Sequence, residues 1–296
     1  MSHLDTFQEH RPLLFGIAYR MIGEVGETED LLQEAYLRWR TVELDEVVSP
    51  KAYLSTMVTR MAIDYLKSAR VRREVYVGPW LPEPLAEAPA ETGPEEVADS
   101  VSMAFLVLLE SLSPPERAAF LLREVFDFSY AEVADALNKS EDNCRQLVKR
   151  AKDRIGQRSP RFEPDPGRHK DLVARFVAAS VEGDLDALVN MLADDAVLYS
   201  DGGGKVAAAI NPIYSAHKIA RFVVGISRKN QHPNREVRSL VINGMPGLVT
   251  AIDGRPDNAI AFDIEDGKIR TVYSVRNPDK LRALAGQFGS KSDQPG

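Results

Sequence analysis

Five cations, Arg145, Lys149, Arg150, Lys152 and Arg154, fall within the stretch EDNCRQLVKRAKDRI (Glu141 to Ile155), and Gln146 stands among them. Arg and Gln are the side chains that can pair with two atoms of one base edge, Arg with guanine and Gln with adenine. Lys and Arg further along such a helix suit phosphates, which fix position rather than sequence. The chemistry on offer is recognition of duplex DNA by Arg145, Gln146, Lys149, Arg150 and Lys152. The plain alternative is a solvated basic face on a helical bundle. Cys144 falls with Leu147 or Val148, Ala151 and Ile155 on the opposite, apolar face, which makes it a small core residue rather than a reactive thiolate.

A reading helix needs a partner to hold it across the groove. Ser129-Tyr130-Ala131-Glu132 matches a capping box and starts a short helix running to Leu137. Asn138-Lys139 breaks that helix, Asn tolerating the left-handed backbone of the turn, and Ser140 caps the basic helix that follows. Two helices joined in this way are the helix-turn-helix signature. Ser113-Pro114-Pro115-Glu116 is a second capping box upstream, so a helical domain is expected over 99–158. Residues 5–75 also read as helical throughout. Ser49-Pro50 opens a helix whose apolar face is Tyr53, Leu54, Met57, Val58, Met61, Ala62 and Tyr65.

Between the helical domains, 1–76 and 99–158, the segment 77–98 has prolines at 79, 82, 84, 89 and 94. It can hold neither a helix nor a central strand, so it is a linker. Trp80, Leu81 and Leu85 are too apolar for a solvated spacer, and the WLPEP piece (Trp80 to Pro84) is expected to dock.

From Asp171 the pattern changes to α+β. A helix with Leu172, Val173, Phe176, Val177 and Val181 leads to LDALVNMLADDAVLYSDGGGK, followed by the strand-like runs REVRSLVI, GLVTAI, NAIAFDI and KIRTVYSV. Glu265-Asp266-Gly267-Lys268 is a hairpin turn signal. An antiparallel sheet over 168–285 is expected, with a frayed tail at 286–296.

The net charge is −7, yet residues 1–160 hold 19 Lys+Arg against 27 Asp+Glu, while 161–296 hold 18 against 17. Net acidity argues against loose DNA binding and leaves two local basic footprints, Arg60 to Arg73 and Lys139 to Arg158. The one cysteine rules out an internal disulfide. There is no secretory leader pattern, and no apolar run reaches the ~18 residues of a membrane span, so a cytoplasmic protein without a membrane partner is expected. No metal-ligand spacing and no Walker or dinucleotide motif is present, and neither metal nor cofactor is expected.

LSPPERAAFLLREVFDFSYAEVADALNKSEDNCRQLVKRAKDRI resembles the sigma-four domain of extracytoplasmic-function sigma factors, promoter-recognition subunits of bacterial RNA polymerase. GETEDLLQEAYLRWR and SPKAYLSTMVTRMAIDYLKSARVRRE resemble the sigma-two helices of the same family. The C-terminal third resembles a SnoaL-like domain, a cone-shaped α+β fold. The resemblance implies that Glu29, Asp30, Gln33 and Glu34 meet the clamp of core RNA polymerase. It places Arg60, Asp64, Lys67, Ser68 and Arg70 near the melted −10 strand, and Arg145, Gln146, Lys149, Arg150 and Lys152 in the major groove of the −35 element of promoter DNA. Asn138 departs from the glycine many relatives have there. One subgroup shares WLPEP, DGGGK and NPDKL. This implies a regulatory interface of Trp80, Leu81, Pro82, Glu83 and Pro84 with Asp201, Gly202, Gly203, Gly204 and Lys205 and with Asn277, Pro278 and Asp279, and no need for a dedicated anti-sigma factor.

Two other readings stay open at this point. A ligand-responsive helix-turn-helix repressor would need no polymerase, and the clamp-docking helix argues against it. A SnoaL-like cone can also hold a small ligand or act as an enzyme, with Tyr199, Asp201, His217, His232 and Asp263 as candidate acids and bases. These are scattered without a motif, so no catalytic residue is assigned.

Overall fold

The structure is a computed structural model that describes residues 2–73, 76–87, 102–156, 166–229 and 231–288. The later part of the linker (88–98), the Pro/Gly/basic stretch at 157–165 and the tail from 289 lie outside the described residues. The chain forms two units, Met1–Val75 with Leu106–Ser159, and Tyr76–Phe105 with Pro160–Gly296.

The first unit is helical. α1 (His3–Ile22), α2 (Val25–Trp39) and α3 (Pro50–Arg73) are followed by α4 (Met103–Leu109), α5 (Pro114–Phe120), α6 (Tyr130–Leu137) and α7 (Glu141–Gly156). α1 packs on α2 and α3, burying Leu14, Ile17, Met21, Leu32, Trp39, Leu54, Val58 and Ala62. Each start has a local chemical reason. Ser2, Ser113 and Ser129 all make reciprocal capping boxes, with Asp5, Glu116 and Glu132 as the returning acids. Pro114 stands in the first turn of α5, where a missing N–H costs nothing. Asn138 ends α6 in the left-handed conformation at φ 51°. Within this unit the buried Arg117 donates to the Met21 carbonyl at 2.5 Å, capping the end of α1, and pairs with Glu110 at 2.6 Å.

The second unit is an α+β cone. α8 (Pro166–Glu182), α9 (Leu185–Met191) and α10 (Ala216–Lys229) cover one face of a seven-stranded sheet. In the described residues its strand order is β1-β4-β5-β6-β7-β2-β3. The strands are β1 (Ala86–Glu87), β2 (Leu192–Asp201), β3 (Ile213–Tyr214), β4 (Arg235–Ile242), β5 (Met245–Ile252), β6 (Arg255–Glu265) and β7 (Lys268–Val275). The sheet is antiparallel except where β2 runs parallel to β7. The three hairpins turn at Asn243-Gly244, Asp253-Gly254 and Asp266-Gly267, all at positive φ. That is the two-residue geometry whose twist matches paired strands.

Strand alternation separates the sheet into two faces. Leu198, Leu248, Phe262 and Val272 face the helices and join their apolar core. Tyr199 and Tyr273, opposite one another in the register and stacked at 5.9 Å, lie on the other face with Asp263. Burial, reinforced by Glu265 and only partly offset by Arg270, pushes the Asp263 carboxyl from 3.8 up to about 6.

The folded chain therefore holds the Asp263 proton more tightly than the unfolded chain. Stability contributed by this group falls as pH rises from about 4 through about 6. Asp263→Asn is expected to stabilise the protein by ~1–3 kcal/mol at pH 7.5. That gain should shrink toward zero by pH 4 in urea unfolding followed at both pH values.

Candidate nucleic-acid interface and linker site

The first unit presents its polar side chains on separate helix faces. On α7 the side chains of Arg145, Gln146, Lys149, Arg150 and Lys152 are all exposed, while Cys144, Leu147, Val148, Ala151 and Ile155 are buried. Burial pushes the Cys144 thiol up, which keeps it protonated and inert. Arg145 stacks over Tyr130 at 4.7 Å and pairs with Glu141 at 2.8 Å and Asp142 at 3.2 Å. Arg150 and Arg154 reach Glu116 at 3.4 and 2.9 Å, and Lys152 reaches Glu124 at 2.5 Å. Burial alone would raise the Glu116 carboxyl; hydrogen bonds from Ser113 and the charges of Arg154 and Arg150 outweigh it and hold the group below the usual range. Gln146 and Lys149 have no such carboxylate partner among the described residues.

On α3, Arg60, Asp64, Lys67 and Ser68 form one exposed stripe. Lys67 pairs with Asp64 at 2.9 Å and the Ser68 hydroxyl donates to the Tyr65 carbonyl at 2.8 Å. Arg70 is on the same helix, and its side chain lies outside those described. Tyr53, read as part of the apolar face, is 42% exposed, while Ile63 and Leu66 are buried in its stead. Arg60 donates to the carbonyls of Ala136, at 2.9 Å, and Asp135 at the end of α6. The last-turn carbonyls of a helix have acceptor capacity to spare, and that of Asp135 also takes the Asn138 N–H at 3.3 Å. α3 thus packs on the first helix of the helix-turn-helix, with Lys51 over the Phe128 ring at 5.4 Å.

On α2, Glu29, Asp30, Gln33 and Glu34 share the polar face, Glu29 paired with Arg11 and Glu34 with Arg38. Leu37 follows at helical spacing from Gln33 and is 53% exposed.

The second unit holds the linker. Asp201 ends β2 with no exposed surface. Its carboxylate accepts from the Tyr76 hydroxyl at 2.5 Å, the Leu81 N–H at 2.9 Å, Lys280 Nζ at 2.8 Å and the Gly203 N–H at 3.0 Å. Lys280, also buried, donates to the Leu81 carbonyl at 2.5 Å and lies over the rings of Trp80 at 4.1 Å and Tyr76 at 5.2 Å. Asn277 donates to the Tyr76 hydroxyl at 2.9 Å. Leu81, Pro82, Glu83 and Pro84 are all buried. Asn243 then accepts from the Leu85 N–H at 3.0 Å, and β1 adds to the edge of β4 by backbone pairing.

The DGGGK turn needs its glycines. A Cβ on Gly203, at φ 59°, would stand 2.4 Å from Asn277 Nδ2, and one on Gly202 would stand 2.5 Å from the Val206 carbonyl oxygen. Lys205 pairs with Asp279, which holds that carboxyl below its ordinary range. Pro278 is exposed beside them. Trp80 and Leu81 of WLPEP, Asp201, Gly203 and Lys205 of DGGGK, and Asn277, Asp279 and Lys280 of NPDKL are thus brought together. Leu85 stands out in the sequence as too apolar for a spacer; Tyr76, Asn243 and Lys280 are members that sequence reasoning missed. Of these, only Lys280 stood inside a motif already marked.

Losing Lys280 would leave a buried carboxylate without its cation. Lys280→Met is expected to cost ~3–5 kcal/mol in urea unfolding of the full chain. It should also expose the aromatic and leucine bonds of 76–85 to chymotrypsin, and a cleavage rate equal to that of the unaltered chain would contradict the grip.

Two family models match the chain, Sigma-70 region 2 over residues 6–72 and Sigma-70 region 4 over residues 102–155. The ECF RNA polymerase sigma factor SigJ of Mycobacterium tuberculosis is 36% identical over 95% of this chain and 93% of that protein. The probable ECF RNA polymerase sigma factor SigI of the same species is 28% identical over 96% of both. The crystal structure of M. tuberculosis SigJ superposes with a TM-score of 0.75 at 33% identity, covering 95% of this chain and 98% of that one. With both sigma regions in order and a SnoaL-like cone behind them, the chain belongs to the extracytoplasmic-function family of RNA polymerase sigma factors, which bind core RNA polymerase and promoter DNA to begin transcription and are not enzymes.

Proposed function

We propose that this sigma factor is regulated by its own C-terminal domain, acting through the linker. The observation that carries the reading is the buried pair of Asp201 and Lys280 closed around Leu81. Residues 74–102 separate α3 from α4, and docking of 76–87 shortens the span of chain that joins the docked segment to α4 to residues 88–102. A shorter tether raises the effective concentration of the −35 reader once the −10 reader is engaged. Because the regulator is covalently attached, no dedicated anti-sigma factor is required. The protein works in the cytoplasm, where the polymerase is.

In this reading the functional bounds are 1–76 for the −10 and polymerase region, 77–98 for the linker, 99–158 for the −35 region, 168–285 for the regulatory domain and 286–296 for the tail. Glu29, Asp30, Gln33 and Glu34 meet the clamp. Arg60, Asp64, Lys67, Ser68 and Arg70 serve the −10 strand. Arg145, Gln146, Lys149, Arg150 and Lys152 serve the −35 element. Arg60 spends its Nε and Nη2 on the α6 carbonyls, so turning those donors to a DNA strand would part α3 from α6. Free protein and holoenzyme would then be two arrangements whose balance the linker biases.

The test is in-vitro transcription with core RNA polymerase from the protein's own upstream region. Arg145→Ala should lower promoter output about tenfold, the scale of one lost bidentate base contact. A chain ending at Val275, which lacks Asn277 and Lys280, frees the whole of 74–102. Doubling a tether lowers effective concentration roughly threefold, and output should fall by about that factor. A chain ending at Ser159 should behave the same way. Output unchanged by both truncations would sink the regulatory reading while leaving the sigma assignment intact.

A further inference from the structure

The cone of the second unit holds a half-open cavity of ≈ 180 Å³ between α8, α10 and the inner face of the sheet. An apolar cavity of about 150 Å³ suffices to take up benzene, so this one has room for a ring with a substituent. Its walls are mostly apolar, with Phe176, Phe222, Leu248 and Ile260 among them. Acidic residues are absent from the lining, and its one ionisable side chain, Arg235, has an interaction partner although its Nε is buried without a hydrogen-bond acceptor. The rest of the wall offers a charge no partner, so away from Arg235 an uncharged guest is favoured.

The wall is not uniformly apolar. Thr250 lines the cavity, is 2% exposed, and its hydroxyl has no hydrogen-bond partner. Asn258 stands opposite it across the β5–β6 pair. Asn258 Oδ1 accepts from the Ser274 hydroxyl at 2.9 Å, and its Nδ2 has no protein partner among the described residues. A buried hydroxyl left without a partner costs about 1–3 kcal/mol. Folding carries that cost here beside a second spare donor, inside a space large enough for a guest.

We propose that the cone is a binding site for a small, uncharged, monocyclic molecule bearing one hydrogen-bonding oxygen, anchored by Thr250 and Asn258. The candidate bases Tyr199, Asp201, His217, His232 and Asp263 all lie outside the lining, so the site binds and does not turn over. The proposal deepens the regulatory reading and rests on it for its biological meaning. β7 carries Ser274 into the cavity and, three residues on, Asn277 into the linker grip. β2 carries Leu198 and then Asp201 in the same way. Occupancy thus has a short covalent path to the linker.

The test is a binding measurement on the full chain, independent of transcription. Calorimetric titrations would compare p-cresol, toluene and p-toluate as probes. One p-cresol per chain is expected, at least about tenfold tighter than toluene, the scale of one hydrogen bond to an otherwise unpaired group. p-Toluate should bind more weakly than p-cresol. Thr250→Val, which keeps shape and removes the lone hydroxyl, should fold and erase the preference for p-cresol; Thr250→Ser should retain it. Equal affinity for toluene would leave a plain apolar hole, and no binding of any probe would leave a merely hydrated one. Preference for p-toluate would put the recognition at Arg235. A p-cresol preference undiminished in Thr250→Val would put it at another site. Each of these four results overturns the proposal.

Discussion

A carboxylate with no exposed surface governs the second unit. Taking a charge out of water costs several kcal/mol, and the cost is met only when its lone pairs find donors and a cation stands close. Asp201 finds them in three distant parts of the chain: the linker through Tyr76 and Leu81, its own turn through Gly203, and the C-terminal end through Lys280. Lys280 is equally dependent, since its ammonium is satisfied by Asp201 and by the Leu81 carbonyl. Removal of the linker would therefore leave the ion pair without the Tyr76 hydroxyl, the Leu81 N–H and the Leu81 carbonyl that complete it. The linker is part of the C-terminal fold rather than a strap laid over it, and Pro82 and Pro84 suit that place by keeping the segment extended without a demand for N–H partners.

The DNA-reading side follows a different electrostatic logic. Arg145, Arg150 and Lys152 are each paired with a glutamate of their own unit, all with the cation at least half exposed. Exposed pairs of this kind are worth little and exchange readily. They hold long side chains near their working positions and weaken the pull on stray phosphates, in keeping with a chain of net charge −7. Lys149 and Gln146 are without such partners among the described residues. On the proposed reading of α7, the acidic body and these pairs keep affinity for arbitrary DNA low, and recognition waits for the polymerase to supply the remaining contacts.

Local chemistry was readable from the sequence and long-range pairing was not. The capping boxes at Ser113 and Ser129, the left-handed Asn138 and the Asp266-Gly267 hairpin are set by neighbours within four residues, and they appear as expected. Asn243-Gly244 and Asp253-Gly254 carry the same turn signal and could have been read with equal ease. The three regulatory motifs could be marked, but the way they close could not. Tyr76 and Asp201 are 125 positions apart, and no periodicity reports that a tyrosine after a basic helix ends on a distant carboxylate. Nothing in the sequence marks Lys280 as buried, because burial of a cation is decided by tertiary packing alone. The parallel run of β2 beside β7 is of the same kind.

Strand alternation decides between the readings of the cone. Along β2, Leu198 points to the helices, Tyr199 to the other face, and Asp201, two further on, to the linker with Tyr199's side of the sheet. β7 repeats the pattern with Val272 and Ser274 inward and Tyr273 outward. The acids that would have to do chemistry therefore belong to the outer face, where Asp201 is consumed by the linker and Asp263 is strained by burial. The inner face keeps apolar walls and neutral hydroxyl and amide groups. A catalytic cone would need its base inside; here the one strand pair puts its charge against the linker and its neutral surface around the cavity, which suits a fold that senses and holds rather than reacts.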